Sequence, residues 1–253
     1  MPSQPVTHQF WYNLTTNFGD AMSPFIVNNL LGRELPRAEP GFQGGVLIAL
    51  GSILHVADVF ENHLVWGTGY EPKYGRLKRE KVNVAAVRGP VTAEKLGLKN
   101  PAMGDPALLL PKVHPLTPDA SGGVVLVPHH TSLKWARYLP YRIVDPLAPW
   151  KDVVREIVSA KFVWCEAMHA AIVAAAYGVP WAWWKGRHGH RAVVKWSDWF
   201  GSIGLEPACF SLLRRKAAER WAANNPPRFP DRDRLLNALL EGVKLQGGEQ
   251  SGR

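Results

Sequence analysis

Short, almost wholly apolar runs recur along this chain, each closed by a glycine- or proline-marked turn and followed by a stretch with helical spacing. Such alternation is what a parallel sheet requires, because helices cover both of its faces and leave no polar side. The pattern predicts strands over residues 9–14, 45–50, 64–67 and 83–87, and again over 124–127, 142–144, 162–164 and 181–184. Ser23 as N-cap and Pro24 behind it mark a helix that ends at Gly32, and Pro90 opens another that ends at Gly97. Between the two series, residues 111–123 carry three prolines and two glycines and read as a linker. The chain is therefore read as α/β, with one lobe over 1–115, a second over 116–210, and C-terminal helices and tail over 211–253. Amphipathic helices are expected at 211–222 and 231–243, broken at 224–230, and disorder at 246–253.

One stretch stands out within this pattern. A strand ending at Trp164 passes through Cys165, Glu166 and Ala167 into a short apolar helix that runs to Tyr177 and stops at Gly178 and Pro180. His169 falls in its first turn. Strand-to-helix turns of a parallel sheet lie at its carboxyl edge, where unpaired N–H groups receive anions.

Composition narrows the partners. A chain of 253 residues with 46% hydrophobic content can bury a substantial core. Residues 1–8 carry no basic and apolar leader, and no run approaches the roughly 20 apolar residues of a bilayer span, so a cytoplasmic protein is expected. Cys165 and Cys209 make no metal spacing and at most one bridge. The net charge of +9 points to an anionic partner. Much of it clusters at residues 76–81, 185–195 and 214–220. The basic tail, with the tryptophan-rich stretch 181–199, is expected to face an anionic membrane at the inner leaflet, as a peripheral contact. His129 and His130, like His188 and His190, lack metal-ligand spacing with other groups, so no metal is expected. There is no Walker loop, and Trp66-Gly67-Thr68-Gly69 is no dinucleotide fingerprint.

Seven further turns accompany the His169 helix: Asn17-Phe18-Gly19-Asp20, Gly51-Ser52-Ile53-Leu54-His55, Trp66-Gly67-Thr68-Gly69, Val87-Arg88-Gly89-Pro90, Gly104-Asp105-Pro106, Val127-Pro128-His129-His130 and Lys195-Trp196-Ser197-Asp198-Trp199. In this order and spacing, from about Asn17 to Glu206, the chain resembles the polysaccharide pyruvyl transferase family, most closely its succinoglycan- and xanthan-type members. The resemblance implies two Rossmann-like lobes in a GT-B-like arrangement. It also implies transfer of a pyruvyl group from phosphoenolpyruvate to two hydroxyls of a sugar in an exopolysaccharide repeat unit, giving a ketal and phosphate without a cofactor. The glycan acceptor would be lipid-linked.

Such chemistry needs cations for carboxylate and phosphate, a proton for the methylene carbon, and a base for the hydroxyls. Arg88, at a strand's carboxyl end, offers a planar fork suited to bidentate anion binding, and the family's matching arginine binds the donor. An arginine bracing the lobe interface is the plainer alternative. His169 matches the family histidine that contacts the donor phosphate, with Ala170 where glycine is usual and Ala167 where some members have arginine. The missing charge would come from Lys195 or Arg187. His55, after a glycine-led turn, is a general acid or base candidate. In the first loop, Gly19 allows close approach, Asn17 and Asp20 stand beside it, and Asp20 would orient an acceptor hydroxyl or merely cap the turn. Glu166 would assist sugar binding or complement the helix dipole, and Asp105 reads as a turn residue. Two rival readings stay open. A nucleotide-sugar glycosyltransferase shares the two-lobe layout but needs a glutamate further along the His169 helix, and a nucleic-acid binder would use the positive charge without any recognition motif in view.

Overall fold

The structure, a computed structural model, describes residues 4–12, 17–75, 77–78, 81–186 and 192–245. The end of the first expected strand, Arg76, the loop residues Arg187, His188, His190 and Arg191, and the tail 246–253 lie outside them.

The apolar runs form two parallel five-stranded sheets. The first holds β1 (Val6–Phe10), β2 (Gly45–Ile48), β3 (His63–Trp66), β4 (Val84–Val87) and β5 (Ala102–Met103), side by side in that order. Helices α1 (Phe18–Ala21) and α2 (Ser23–Leu31) follow β1, α3 (Pro90–Lys95) follows β4, and α4 (Leu110–Val113) covers the start of the expected linker. The second sheet holds β6 (Val124–Val127), β7 (Arg142–Ile143), β8 (Phe162–Cys165), β9 (Trp181–Trp184) and β10 (Cys209–Phe210), in the order β10-β9-β8-β6-β7. Its helices are α5 (Leu133–Ala136), α6 (Trp150–Val158), α7 (Met168–Ala176) and α8 (Val193–Ser202), and α9 (Arg215–Asn224) and α10 (Arg232–Leu245) close the described chain.

Several expectations shift. Ser23 is the first helical residue of α2, not its cap, and its hydroxyl is buried without a partner. The two-residue strands β5 and β10 are too short to leave an apolar run. The stretch 181–199 is no exposed tryptophan loop: it contains β9 and most of α8, and Trp181, Trp183, Trp184, Trp196 and Trp199 are all buried, Trp183 stacking on Trp196 at 4.9 Å. Burying an indole outweighs its one polar atom, so these rings went into the core.

Both sheets change direction where the site will form. Gln9 donates its N–H to Pro36 and accepts from the N–H of Ala38, so an isolated bridge at Arg37 lies on the side of β1 away from β2. The chain leaves β1 to one side and returns as β2 on the other. In the second sheet β6 sits between β7 and β8, which gives the same reversal. The carboxyl ends flanking such a reversal part and leave a crevice.

Between the sheets runs α7, apolar at every position but His169 and buried along its whole length. A helix apolar all round needs cover on all sides. It packs on α6, β8, β9 and the 3-10 turn Pro106–Leu109, and one core cluster runs from Leu47 and Trp66 through α7 to Val125 and Val163. The two C-terminal helices separate: α9 packs on β9, whereas α10 returns to β3, β4 and β5, where Trp66 donates to the carbonyl of Leu235 at 2.8 Å. Among the described residues, no helix is long and apolar enough to cross a membrane.

Candidate active site

A cavity of about 360 Å3 opens where the two reversals meet. Tyr12, Asn17 and Asp20 line it from the chain after β1, and Gly51, Ser52 and Ile53 from the chain after β2. Glu71, Lys73 and Tyr74 close one side. His129 and His130 contribute from the end of β6, Ala167, Met168 and His169 from the end of β8, and Lys195 from α8.

His169 is the second residue of α7, whose N-cap Ala167 supplies no side-chain cap. The imidazole lies against Gly19, where a Cβ would stand 2.0 Å from its Nδ1, so any side chain at position 19 forces the ring to move. Burial, then the charges of Arg88 and Lys195, push its pKa down to about 3, so the ring is neutral near pH 7. Its Nε2 faces Oδ2 of Asp105 at 3.9 Å. Asp105 does cap its turn, accepting from the N–H of Ala107 at 3.0 Å, and is fully buried.

Across the cavity, burial raises Asp20 to about 6, against the opposing pull of Asn17, Lys195 and Lys73. Asn17 donates to its Oδ2 at 3.4 Å and also accepts from the N–H of Gly19, which ties the whole Asn17–Asp20 turn together. Lys195 is itself lowered, first by burial, with Arg88 and Lys73 adding to the fall and Glu71 and Asp20 opposing it.

The structure gathers Asn17, Asp20, His169 and Lys195 at the cavity, with Gly19 beside the Nδ1 edge of His169. It sets three other named residues back from the lining. Arg88 is wholly buried: its Nε donates to Asp198 at 3.0 Å and its Nη1 to the Ser52 hydroxyl at 2.7 Å, while Nη2 has no partner. Asp198 also accepts from the backbone N–H and hydroxyl of Thr92, at 2.9 and 2.7 Å, and so caps α3 from α8. Arg88 thus braces the junction of the two halves and reaches the cavity through Ser52. His55 stands behind Tyr12, bonded through Nε2 to its phenol at 2.8 Å and stacked on Tyr74 at 3.7 Å. Burial, helped by Lys73, lowers its pKa. Glu166 turns inward, accepting from the His129 N–H and the Ser132 hydroxyl at 2.9 Å each, so it holds the turn after β6.

Tyr12, Ser52, Glu71, Lys73, Tyr74 and Asp198 escaped the reading of the sequence. Tyr12 and Lys73-Tyr74 sit in no motif, and Asp198 lay inside a recognised motif without any sign that it would reach Arg88. Among the described residues, no three His, Cys, Asp or Glu side chains are grouped to hold a metal.

Cations, a helix N-terminus and a protonatable carboxyl at the carboxyl edges of two parallel sheets define an α/β protein equipped to receive a small anion. The profile of the polysaccharide pyruvyl transferase family matches residues 48–183, over half of the chain, and the chain belongs to that family. The succinoglycan biosynthesis protein ExoV of Rhizobium meliloti (strain 1021) is 30% identical over 217 residues, covering 78% of this chain and 64% of that relative. The chain thus matches less than two thirds of the relative's length. No solved structure matches it.

Proposed function

We propose that this protein transfers the pyruvyl group of phosphoenolpyruvate to two hydroxyls of one sugar, closing a ketal and releasing phosphate. The observation that carries the reading is the cavity itself, in which Lys195, Lys73 and the start of α7 oppose Asp20, a carboxyl raised by burial to about 6. The donor's phosphate and carboxylate lie against the cations and His169, with Arg88 adding charge from behind Ser52. Asp20, steadied by Asn17, delivers a proton to the methylene carbon, which makes it the methyl of the ketal. The attacking hydroxyl gives its proton to the oxygen of Tyr12 as Tyr12 passes its own phenolic proton to Nε2 of His55, 2.8 Å away. Of the two hydroxyl protons, one replaces that lost by Asp20 and the other leaves with phosphate. Gly19 admits the His169 ring, and Glu166 shapes the rim through His129.

The facing reversals of the two sheets support a GT-B-like arrangement of two Rossmann-like lobes. The acceptor is a glycan of exopolysaccharide assembly, carried on a lipid at the inner membrane face. Support for a peripheral membrane contact has moved from the tryptophans to Leu213, 96% exposed beside Arg214, Arg215, Lys216 and Arg220.

Thermal unfolding with phosphoenolpyruvate, a nucleotide sugar and a short oligonucleotide, compared side by side, tests the reading. Phosphoenolpyruvate alone is expected to stabilise, by about 2.7 kcal/mol at a hundredfold excess over its Kd. Stabilisation by the nucleotide sugar or the oligonucleotide in its place would overturn it.

A further inference from the structure

Behind the cavity, two buried polar atoms face each other without a bond. Asp105 lies on the chain after β5 and His169 on the chain after β8, so the pair joins the two sheets. Oδ1 of Asp105 is used by its turn, but Oδ2 has no partner, and neither has Nε2 of His169, 3.9 Å away. A buried polar atom without a partner is costly, and folded proteins keep few of them. Two such atoms opposite each other at the edge of a ligand cavity indicate a bond that belongs to another state of the site. The remaining space around His169 leaves the roles of its nitrogens distinct: Nδ1 lies on the side of Gly19 and the Asn17–Asp20 turn, and Nε2 points away from it to Asp105.

We infer that Asp105 is the positioning residue of His169: Oδ2 accepts the Nε2–H, fixes the tautomer with Nδ1 towards the donor side, and becomes the counter-charge of the imidazolium formed when the donor phosphate enters. The inference rests on the donor-site reading given above and names the partner that reading lacks. One N–H bond forms, at Nδ1, with a proton from solvent, and no other covalent bond changes. Arg88 and Lys195 face His169 and oppose its protonation, whereas Asp105 faces it and favours it. Arg88 and Asp198 face Asp105 with opposite signs. Burial holds Asp105 up at about 6, which leaves it mainly a carboxylate at pH 7. A phosphate dianion offsets Arg88 and Lys195, and the ring can then charge against the carboxylate already behind it.

Calorimetric titration with phosphoenolpyruvate and with inorganic phosphate at pH 7, in two buffers of different ionisation enthalpy, counts the protons taken up on binding. The parent is expected to take up a proton. Asp105→Asn keeps the side chain's size and an oxygen for the Ala107 cap, and should take up less than half as many protons and bind about tenfold more weakly, one pKa unit of lost coupling. A merely structural aspartate would change the unfolding temperature of Asp105→Asn and leave the proton count alone, and that result overturns the inference. His169→Asn separates the two levels. Parental affinity in that variant would overturn the donor-site reading and the inference with it. Weakened binding there with a parental proton count in Asp105→Asn would overturn the inference alone. Should Asp105→Asn not fold, nitrogen NMR of the parent decides: Nε2–H in the ligand-free ring supports the inference and Nδ1–H refutes it.

Discussion

Asp198→Ala removes the carboxylate that joins α8 to the end of β4, and its cost follows from what is left behind. Three hydrogen bonds go, from Arg88 Nε at 3.0 Å and from the Thr92 N–H and hydroxyl at 2.9 and 2.7 Å. Arg88 then stays as a guanidinium with no solvent exposure, an unpartnered Nη2 and no hydrogen-bonded carboxylate. Gly69 lies so close that a Cβ there would stand 2.1 Å from Cζ, so the arginine has no room to swing out on that side. Breaking a buried pair from one end costs about 3–5 kcal/mol, and the lost cap on α3 about 1 more. At roughly 2–4 °C per kcal/mol for a chain near this size, the unfolding temperature should fall by about 8–24 °C. Differential scanning calorimetry measures it. Replacing both partners, as Arg88→Met with Asp198→Leu, should recover part of the loss, because the desolvated charge is what costs most. A fall of under about 3 °C, or a double variant no better than Asp198→Ala, would refute this account of the pair.

Gly19→Ala puts a methyl into the His169 ring and should weaken phosphoenolpyruvate binding at least tenfold by calorimetry while the fold persists; parental affinity would show that the ring can shift freely. Tyr12→Phe and His55→Gln should each lower turnover by roughly 10²–10⁴-fold with donor affinity nearly unchanged, and the double variant should lose no more than the worse single, as expected of residues acting as one unit. Unfolded, His169 titrates near about 6.5, but folded it is held to about 3; between these values the unfolded chain binds more protons and stability falls as pH drops. His169→Asn should therefore flatten that acid limb, whereas Asp20 and Asp105, raised to about 6, act in the opposite direction and lose their contribution as pH rises through that value. Flotation with anionic liposomes at low salt should recover the protein and neutral liposomes should not, and Leu213→Asp should abolish the difference; equal recovery with both would remove the membrane contact.

Local pattern was sufficient for much of this fold. The strand cores of β2, β3, β4, β6, β8 and β9 and the helix after β8 are written in short apolar runs and their glycine and proline stops, because strand and helix periodicity act between near neighbours in the chain. Position at a strand's carboxyl end likewise drew attention to Asn17, Asp20, His169 and Arg88. Their surroundings were another matter. Whether His55 touches the cavity or stands behind Tyr12, whether Arg88 is open to a ligand or closed by Asp198, and whether Asp105 only caps a turn or also faces His169 depend on contacts between residues far apart in sequence. The tryptophans of 181–199 show the same division, since their number was plain and their direction was not. Burial, and the pKa shifts that follow from it, belong to the space between the two sheets, and that space exists only once α7 has drawn them onto a common core.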